Sequence, residues 1–381
     1  MKLTLLLCTA TTLQLATCVS TVQLSLELVQ VLFRHGERTP QEDEAKFIPD
    51  SNQSLAGPWG YSQLTNVGKQ QEYRLGQILR EKYGDFLGDY RPEDVYAISS
   101  PFDRTKSSLA LVLASLYPPE GELKWNEQLD WQPIPINFVP IKFDILFNSG
   151  QCHKYQQTYD YLMNSREMKM RVMEYSDIFA FLCRIYPDQQ FNLAQLFFMN
   201  NFLNYLNFTG VELPSWYSTE LHQRISKAAL LYLDTLSYTP NLIRMNGGHM
   251  AKKWLKNLNI NTNKPNPRKI YLFSGHEFTI YALAKAHDIT LEQSPAFGSA
   301  LVLEKLRDND NKLFVRMFYM TGSGEEIPIK LYGFEYCPMH LYLKLLHSSL
   351  PTVEESRCLY QMKGSAELEK LLNTDTFSVS S

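Results

Sequence analysis

The chain has 381 residues, of which 44% are hydrophobic and 13% aromatic, enough to bury one large core or two smaller ones. This composition excludes a disordered or fibrous protein. The net charge of -3 excludes a generally basic surface that would bind nucleic acid or an anionic membrane through bulk electrostatics. Any site for an anion must therefore be local.

Residues 1–20 predict a secretory signal peptide. Met1-Lys2 precedes the apolar run LTLLLCTATTLQLA, and the small residues between Ala16 and Ser20 offer cleavage points. No later stretch has the roughly 18 uninterrupted apolar residues of a membrane span. We therefore expect a secreted, soluble protein, with the lysosomal lumen as the second choice, and neither a membrane nor a nucleic acid as its partner.

Three predicted strands each end in a charged turn. They are ELVQVLF followed by Arg34-His35-Gly36, VYAIS followed by SPFDRT, and KIYLFSG followed by His276-Glu277. Helical patterns separate these strands, which favours an α/β fold with a mainly parallel central sheet flanked by helices. Ligands bind at the carboxyl ends of the strands in such sheets, so the three turns should lie at one edge.

The segment QEYRLGQILREKYG is one of these predicted helices. It places Leu75, Ile78 and Leu79 on one face, and Gly84 is its predicted C-cap.

Between about residue 150 and residue 260, strand-like runs give way to segments rich in Phe, Tyr, Met and Asn. Segments such as FNLAQLFFMNNFLNYL have apolar residues at helical spacing, which predicts a helical cap inserted over the sheet edge. The expected organisation is a signal peptide at 1–20, the first part of the α/β domain at 21–150, the cap at 151–260, and the second part with a tail at 261–381.

The charged turns together predict a phosphate site. Arg34, Arg38 and Arg104, with His276, would surround one point with N–H donors, and guanidinium groups match phosphate oxygens. A bound dianion would relieve the repulsion among these cations. A single arginine is more often a solvated or ion-paired surface residue, but the repetition at three strand ends favours the anion site.

His35 could be a core group, a metal ligand, a general base or a nucleophile. The neighbouring arginines disfavour its protonated form, which leaves a neutral ring nitrogen free to attack phosphorus. The leaving alkoxide then needs a proton, and Glu277 is the nearest carboxyl candidate, which gives a rate favoured at low pH. The alternative for Glu277 is a carboxylate that only stabilises a helix N-terminus.

The sequence contains none of the common motifs for binding a metal ion or a nucleotide cofactor. HExxH, CxxC, a Walker-type glycine loop, GxSxG and GxGxxG do not occur, and an arginine-lined pocket would repel a divalent cation. We therefore expect no metal and no cofactor. The pair His287-Asp288 lies about three helical turns from the strand edge, so we do not regard it as catalytic.

An exported chain meets oxidising surroundings, so its cysteines are disulfide candidates. Beyond the signal these are Cys152, Cys183, Cys337 and Cys358, which allow three sets of pairings. Asn52 and Asn207 begin N-x-S/T sequons and are candidate glycosylation sites.

The stretch RHGERTP, residues 34–40, resembles the signature of the histidine acid phosphatases, the RHGxRxP branch of the histidine phosphatase superfamily. LREKYGDFLGDY, SSPFDRTKSSLALVLASLYPPE and KIYLFSGHEFTIYALA are most similar to the venom-type acid phosphatases of insects. The resemblance covers nearly the whole mature chain. It implies a metal-free enzyme that hydrolyses phosphomonoesters of small molecules or proteins, built from an α/β domain and a helical cap.

The resemblance also implies a role for each residue of the site. The phosphorylated nucleophile would be His35, and the phosphate ligands would be Arg34, Arg38, Arg104 and His276. The proton donor would be Glu277. The usual family pair is His-Asp, and the extra methylene of Glu277 moves the carboxyl by about one bond length, which affects its reach.

The cysteines follow the family only in part. Cys152 and Cys358 resemble the bridge that ties the middle of the chain to its C-terminal end. Phe334 stands where relatives have a partner for Cys337, so a pair between Cys183 and Cys337 and free thiols both stay open.

Two functions of different classes stay open. The first is a secreted acid phosphatase, within which a phytase-like specialist is one form, whereas export disfavours a mutase. The second is a secreted phosphate-ester-binding protein, or a venom or saliva component, with little turnover. Glu277 is its only support in the sequence. A homodimer is compatible with either function.

Overall fold

The computed structural model of the protein describes residues 23–47, 53–260 and 268–356. The strands in these ranges are β1 (Ser25–Arg34), β2 (Val95–Ser99), β3 (Asn137–Phe138), β4 (Ile270–Gly275), β5 (Ala300–Arg307), β6 (Leu313–Met320), β7 (Glu326–Ile329) and β8 (Tyr336–Pro338). The helices are α1 (Glu42–Ala45), α2 (Asn66–Leu87), α3 (Asp103–Leu116), α4 (His153–Asn164), α5 (Arg166–Met173), α6 (Ser176–Ile185), α7 (Leu193–Thr209), α8 (Thr219–Thr235), α9 (Pro240–Met245), α10 (Gly247–Asn257), α11 (Glu277–Ala286), α12 (Met339–His347) and α13 (Val353–Ser356).

One sheet forms the centre of the molecule. Its strand order is β3-β2-β4-β1-β5-β6-β7, and β8 pairs with β6. The strands β3, β2, β4 and β1 are parallel, whereas β5 to β8 pair antiparallel. The predicted α/β fold with a central, mainly parallel sheet and flanking helices is confirmed. The antiparallel extension is an addition that the sequence patterns do not predict.

The first strand shows how the sheet divides the core into two layers. Successive side chains of a strand point to opposite faces, so a strand buried on both faces is apolar throughout. Leu28 and Leu32 pack with Trp254 of α10 in one hydrophobic cluster. Val31 and Phe33 pack in the other cluster, which contains residues of α2 and α3. Helices on both faces therefore hold β1, and the residues that follow it, in a fixed position.

The end of α2 differs from the prediction. Gly84 lies inside the helix, and the C-cap is Gly88, which has a φ of 68° and donates its N–H to the carbonyl oxygen of Gly84. The prediction of Gly84 as the C-cap is wrong because the buried face continues to Leu87, so burial of one more turn outweighs the helix cost of an internal glycine.

Most of the chain between β3 and β4 is helical. The helices α6, α7 and α8 share a hydrophobic cluster that also contains Phe47, from the segment after β1. In contrast, α10 returns to the sheet, where the ring centroid of Trp254 lies 6.4 Å from that of Phe273 in β4. The domain boundaries at residues 150 and 260 stay predictions.

Several predicted features fall on residues outside the described ranges: the signal peptide at 1–20, the sequon at Asn52, and Cys358. Asn207 is exposed in the last turn of α7. Among the described residues, the chain forms no helix with the length and hydrophobicity needed to span a membrane.

Candidate active site

The predicted charged turns do meet at one edge of the sheet. β1 and β2 both pair in parallel with β4, so that Arg34 lies opposite Gly275 and Ser99 lies opposite Ser274. The backbone N–H of His35 continues this pairing and donates to the carbonyl oxygen of Gly275 at 3.1 Å. The three carboxyl ends therefore deliver their following residues to one place.

The glycine of the RHG sequence allows the loop after β1 to approach α2. A Cβ atom on Gly36 would lie 2.3 Å from the carbonyl oxygen of Gly68 in α2, so no other residue fits without moving the backbone. The N–H of Gly36 donates to Ser108 of α3 at 3.2 Å, and the N–H of Glu37 donates to Gln71 of α2 at 2.8 Å. These contacts fix the backbone on which His35 and Arg38 are carried.

The hydrogen bonds of His35 define its tautomer. The Nδ1 atom lies 2.8 Å from the carbonyl oxygen of Gly36, which can only accept, so Nδ1 carries the proton. The lone pair is then on Nε2, which accepts from Nε of Arg104 at 3.2 Å. Burial, followed by the positive charge of Arg104, holds the pKa of His35 well below its usual value of 6.5. His35 is therefore a neutral base with its free nitrogen beside a guanidinium group.

Two of the three arginines are paired with buried carboxylates. Arg38 donates two hydrogen bonds to Glu44, at 2.6 and 2.7 Å, in a bidentate arrangement. Nε of Arg34 lies 3.0 Å from Oε2 of Glu277, and its Nη1 donates to the carbonyl oxygen of Pro295 at 2.7 Å. Burial alone would raise the pKa of Glu44, but the charge and hydrogen bonds of Arg38 outweigh it and lower that pKa.

Arg104 is the least compensated cation of the site. It lies in the first turn of α3 and is buried, and within the described part of the chain no carboxylate forms an ion pair with it. Burial and the nearby charge of Arg38 lower its pKa to about 9. An anion bound beside Arg104 and His35 would supply the missing negative charge.

His276 and Glu277 begin the helix α11. The Nε2 atom of His276 lies 2.9 Å from Oγ of Ser100, and its ring centroid is 5.4 Å from that of His35. Burial, followed by the charge of Arg104, holds the pKa of His276 well below 6.5. Glu277 is buried, and its Oε1 atom accepts a long hydrogen bond of 3.4 Å from Asn201 of α7.

Three side chains of the site carry atoms that could bind a metal ion. His35, His276 and Glu277 each offer a ligand atom, and these atoms lie within 4.8 Å of one another. Two neutral imidazoles and one carboxylate would suit a transition metal in isolation. Three guanidinium groups border the same space, however, so its electrostatic preference is for an anion.

A cavity of about 550 Å³ opens above this edge, between the sheet and the helices α4, α7 and α8. Its floor contains His35, Arg38, Arg104, His276 and Glu277. An anion that reaches the floor would meet the donors of the arginines and the free nitrogen of His35 together.

Comparisons with known proteins identify the family of this chain. The sequence model of the histidine phosphatase superfamily (branch 2) matches residues 25–320. The chain belongs to this family. It is 33% identical to venom acid phosphatase Acph-1 of Apis mellifera over 344 residues, which are 88% of either chain. It is also 32% identical to prostatic acid phosphatase of Bos taurus over 334 residues, 84% of either chain. The chain is therefore an acid phosphatase of the histidine phosphatase superfamily.

Solved structures give the same fold. A phytase from Citrobacter braakii superimposes with a TM-score of 0.63, covering 87% of this chain and 99% of that one at 17% identity. A Hafnia alvei phytase in complex with myo-inositol hexakis sulphate has a TM-score of 0.62 and covers 86% and 97% at 16% identity. At such low identity the likeness concerns the fold alone.

In this histidine phosphatase, the five floor residues were all singled out from the sequence, and Arg34, the sixth predicted residue, lies beside them through its ion pair with Glu277. Sequence reasoning missed Glu44, Ser100 and Asn201, which contact Arg38, His276 and Glu277 respectively. The only signal for Glu44 is its position six residues after Arg38 in an acidic run, EDE, that also reads as a solvated surface turn. Asn201 gives no signal, because its contact depends on how α7 packs over the sheet edge.

The structure places His287 away from the cavity, as expected for a residue that is not catalytic. His287 is buried, with Nδ1 2.8 Å from the carbonyl oxygen of Leu283 and Nε2 3.0 Å from the hydroxyl of Tyr342. It lies at the end of α11 and does not line the cavity.

The sequence leaves a Cys183–Cys337 pair and free thiols open, and in the structure both cysteines are free thiols. Cys183 is exposed on α6, whereas Cys337 is buried in β8 within the core beside the sheet, so the two belong to different parts of the fold. Cys152 is buried at the start of α4. Its predicted partner, Cys358, lies outside the described residues, so that pairing stays a prediction.

Proposed function

We propose that the protein hydrolyses phosphate monoesters through a phosphohistidine formed on Nε2 of His35. The observation that carries this proposal is the tautomer of His35: Nδ1–H donates to the carbonyl oxygen of Gly36, and the Nε2 lone pair is left beside Arg104. A phosphate dianion there would accept hydrogen bonds from Arg34, Arg38, Arg104 and His276. The arginines would also stabilise the charge of the transferring phosphoryl group.

The reaction would proceed in two displacements. In the first, the Nε2 lone pair of His35 forms a bond to phosphorus, the ester P–O bond breaks, and the leaving alkoxide takes a proton from the carboxyl group of Glu277. In the second, a water molecule attacks phosphorus, the N–P bond breaks, and a proton of that water returns to the Glu277 carboxylate. Inorganic phosphate leaves, and both residues regain their starting states.

As the general acid, Glu277 must carry a proton when the leaving group departs. A bound phosphate dianion would compete for the Arg34 guanidinium group, whose Nε lies 3.0 Å from Oε2 of Glu277, and so would free this carboxyl to face the leaving group. Acid pH favours a protonated carboxyl. We therefore expect turnover to be greatest under acidic conditions.

The test is the rate of p-nitrophenyl phosphate hydrolysis by the purified full chain between pH 3 and pH 8, with and without EDTA. We expect an acid maximum that EDTA does not change. Loss of the rate with EDTA would contradict a metal-free reaction. Binding of vanadate or phosphate without turnover at any pH would favour the second candidate, a binding protein that retains the anion site.

We also propose that the protein is secreted after removal of residues 1–20, with a disulfide between Cys152 and Cys358 and glycans at Asn207 and Asn52. Exposure of Asn207 and burial of Cys152 support this proposal, as do relatives named for venom and prostate. Peptide mapping of the protein from culture medium, without reduction, should link the two cysteines. A free thiol at either one would refute the pairing.

A further inference from the structure

The cavity wall above the arginines is aromatic. It is formed by side chains of α4, α7 and the C-terminal end of α8, namely Tyr155, Tyr159, Phe197, Phe198, Tyr232 and Leu236. The ring centroids of Phe197 and Tyr232 lie 5.1 Å apart, and those of Phe197 and Phe198 lie 5.8 Å apart. Tyr155 and Tyr159 stack on each other with ring centroids 6.4 Å apart. The wall therefore consists of two groups of packed rings that both face the place where a leaving group would lie.

The hydroxyl groups on this wall add little polarity to it. Tyr155 donates its hydroxyl to the carbonyl oxygen of Leu236 at 2.8 Å, and the hydroxyl of Tyr159 lies 3.3 Å from Oγ1 of Thr235. Burial raises the pKa of Tyr155 and Tyr232, so both phenols stay neutral. A leaving group therefore meets mainly ring surface on this side.

The charges that line the cavity have an uneven distribution. Arg38 and Arg104, its two cationic lining residues in the described chain, both lie at the floor, where a phosphate would engage them. The carboxylates are Glu277 at the floor and Asp160, which is exposed on α4. The remaining polar lining residues are the neutral Gln41, Asn148, Ser149, Gln156 and Asn246. A second phosphate on the substrate would thus face rings and Asp160 without a compensating cation.

We propose that this wall selects phosphomonoesters whose leaving group is aromatic or apolar and carries no second phosphate. The inference rests on the proposed function, and it separates this chain from the phytases that share its fold. The aromatic surface favours a ring through burial of apolar area and ring–ring contact. Asp160 and the lack of further cations disfavour a polyphosphorylated substrate such as an inositol phosphate.

Three substrates test the proposal on the full chain: benzyl phosphate, glycerol 2-phosphate and myo-inositol hexakisphosphate. The first two both release an alkoxide, so the ratio of their kcat/KM values reports mainly on the wall. We expect benzyl phosphate to exceed glycerol 2-phosphate by about 10-fold, the effect of one buried ring, and to exceed the hexakisphosphate by more. Hydrolysis of the hexakisphosphate as fast as benzyl phosphate would overturn the inference and leave the proposed function intact. Hydrolysis of none of the three, nor of p-nitrophenyl phosphate, would reject both.

Matched variants locate the selection on the wall. Tyr159→Ala should lower the ratio of benzyl phosphate to glycerol 2-phosphate about 3- to 10-fold, chiefly through KM, and Tyr159→Phe should keep it. The control is Tyr161→Ala on the same helix, a side chain that is 82% exposed and does not line the cavity. An equal loss for both substrates in Tyr159→Ala would indicate a structural role and overturn the assignment.

A charge reversal tests the rejection of polyphosphates. Asp160→Lys should raise kcat/KM for the hexakisphosphate about 3- to 10-fold while leaving glycerol 2-phosphate nearly unchanged. Asp188→Lys makes the same charge change at an exposed position outside the cavity and should have no such effect. Equal gains in both variants would assign the effect to net charge and contradict the role of the wall.

Discussion

The floor and the wall of the cavity are built in opposite ways. On the floor, buried charged groups lie at the ends of parallel strands, and pairs such as Arg38 with Glu44 hold them in fixed orientations. On the wall, packed rings of α4, α7 and α8 enclose the cavity, and no cation lies among the described residues of this wall. The phosphoryl-transfer chemistry therefore depends on the geometry of the strand ends. The selection of the leaving group depends on helix side chains, which can vary without disturbing the reacting groups.

The energetics of the two regions differ in the same way. Burying a charge costs several kcal/mol unless it is paired and hydrogen-bonded, so each charged group of the floor depends on its neighbours. A ring on the wall depends mainly on contact area. Substitutions on the floor should therefore have larger effects, on rate and on stability, than substitutions on the wall.

The largest effect is expected for His35→Ala. Removal of the nucleophile should lower kcat for p-nitrophenyl phosphate by at least about 10³-fold, while the circular dichroism spectrum stays native. His222→Ala, at a half-buried histidine of α8, is the control and should retain activity. A near-native rate in His35→Ala would mean that another group attacks phosphorus.

The next effect is expected for Glu277→Gln. Loss of the proton donor should reduce kcat about 100-fold for benzyl phosphate, whose alkoxide needs a proton, and much less for p-nitrophenyl phosphate, whose phenolate does not. Both rates are measured at the acid maximum. Glu277→Asp should retain the difference between the two substrates that the wild type shows. If Glu277→Gln loses the same factor on both substrates, the acid is a different group.

A smaller effect is expected for Glu44→Gln. The substitution leaves Arg38 as a buried cation with a weakened partner, which should lower the free energy of unfolding by about 2 kcal/mol. Inorganic phosphate replaces the lost negative charge, so it should raise the Tm of this variant more than that of the wild type. The control is Asp43→Asn, which removes an exposed carboxylate one residue away. If phosphate raises the Tm of the wild type and of both variants by the same amount, Glu44 does not contribute to the charge balance of the anion site.

The sequence predicts the floor far better than the wall. Parallel strands bring their carboxyl ends together by topology, so Arg34, Arg104 and His276 can be placed at one site without knowing any side-chain packing. The contact between Asn201 and Glu277 depends on how α7 docks over the sheet edge, which involves residues far apart in the chain. Helical spacing indicates that α7 has a buried face but not what covers it.

The errors in the fold have a similar cause. Gly84 has the local properties of a helix C-cap, and only the burial of Leu87 reveals that α2 continues to Gly88. The sequence likewise cannot decide whether Cys183 and Cys337 pair or stay free, because the distance between them follows from where their elements lie in the fold. Local patterns predict elements, whereas long-range packing decides where they end and what they touch.

The smallest effect concerns the free energy of unfolding at acid pH. Acid should destabilise the elements that carry buried histidines more than the helix α7 of the wall. The four buried histidines of the described chain are His35, His249, His276 and His287. His35 and His276 directly follow β1 and β4, His249 lies in α10, and His287 directly follows α11. Burial lowers the pKa of His287 to about 4, so the unfolded chain binds more protons than the folded one below pH 6.5. Stability should therefore fall as the pH falls through this range.

Replacement of His287 should remove part of this dependence. Between pH 7 and pH 5.5 the unfolded chain binds a proton at His287 that the folded chain does not, which lowers the free energy of unfolding by about 1 kcal/mol. His287→Gln should therefore reduce the change in unfolding free energy over this pH range by about 1 kcal/mol, even if the variant is less stable at pH 7. Urea unfolding at several pH values measures the slope, and His340→Gln, at an exposed histidine of α12, is the control. Hydrogen exchange at pH 5.5 should show protection falling further in α10 and α11 than in α7. An unchanged slope in His287→Gln would mean that acid acts on the molecule through the floor histidines instead, and phosphate would then suppress the pH dependence by occupying their site.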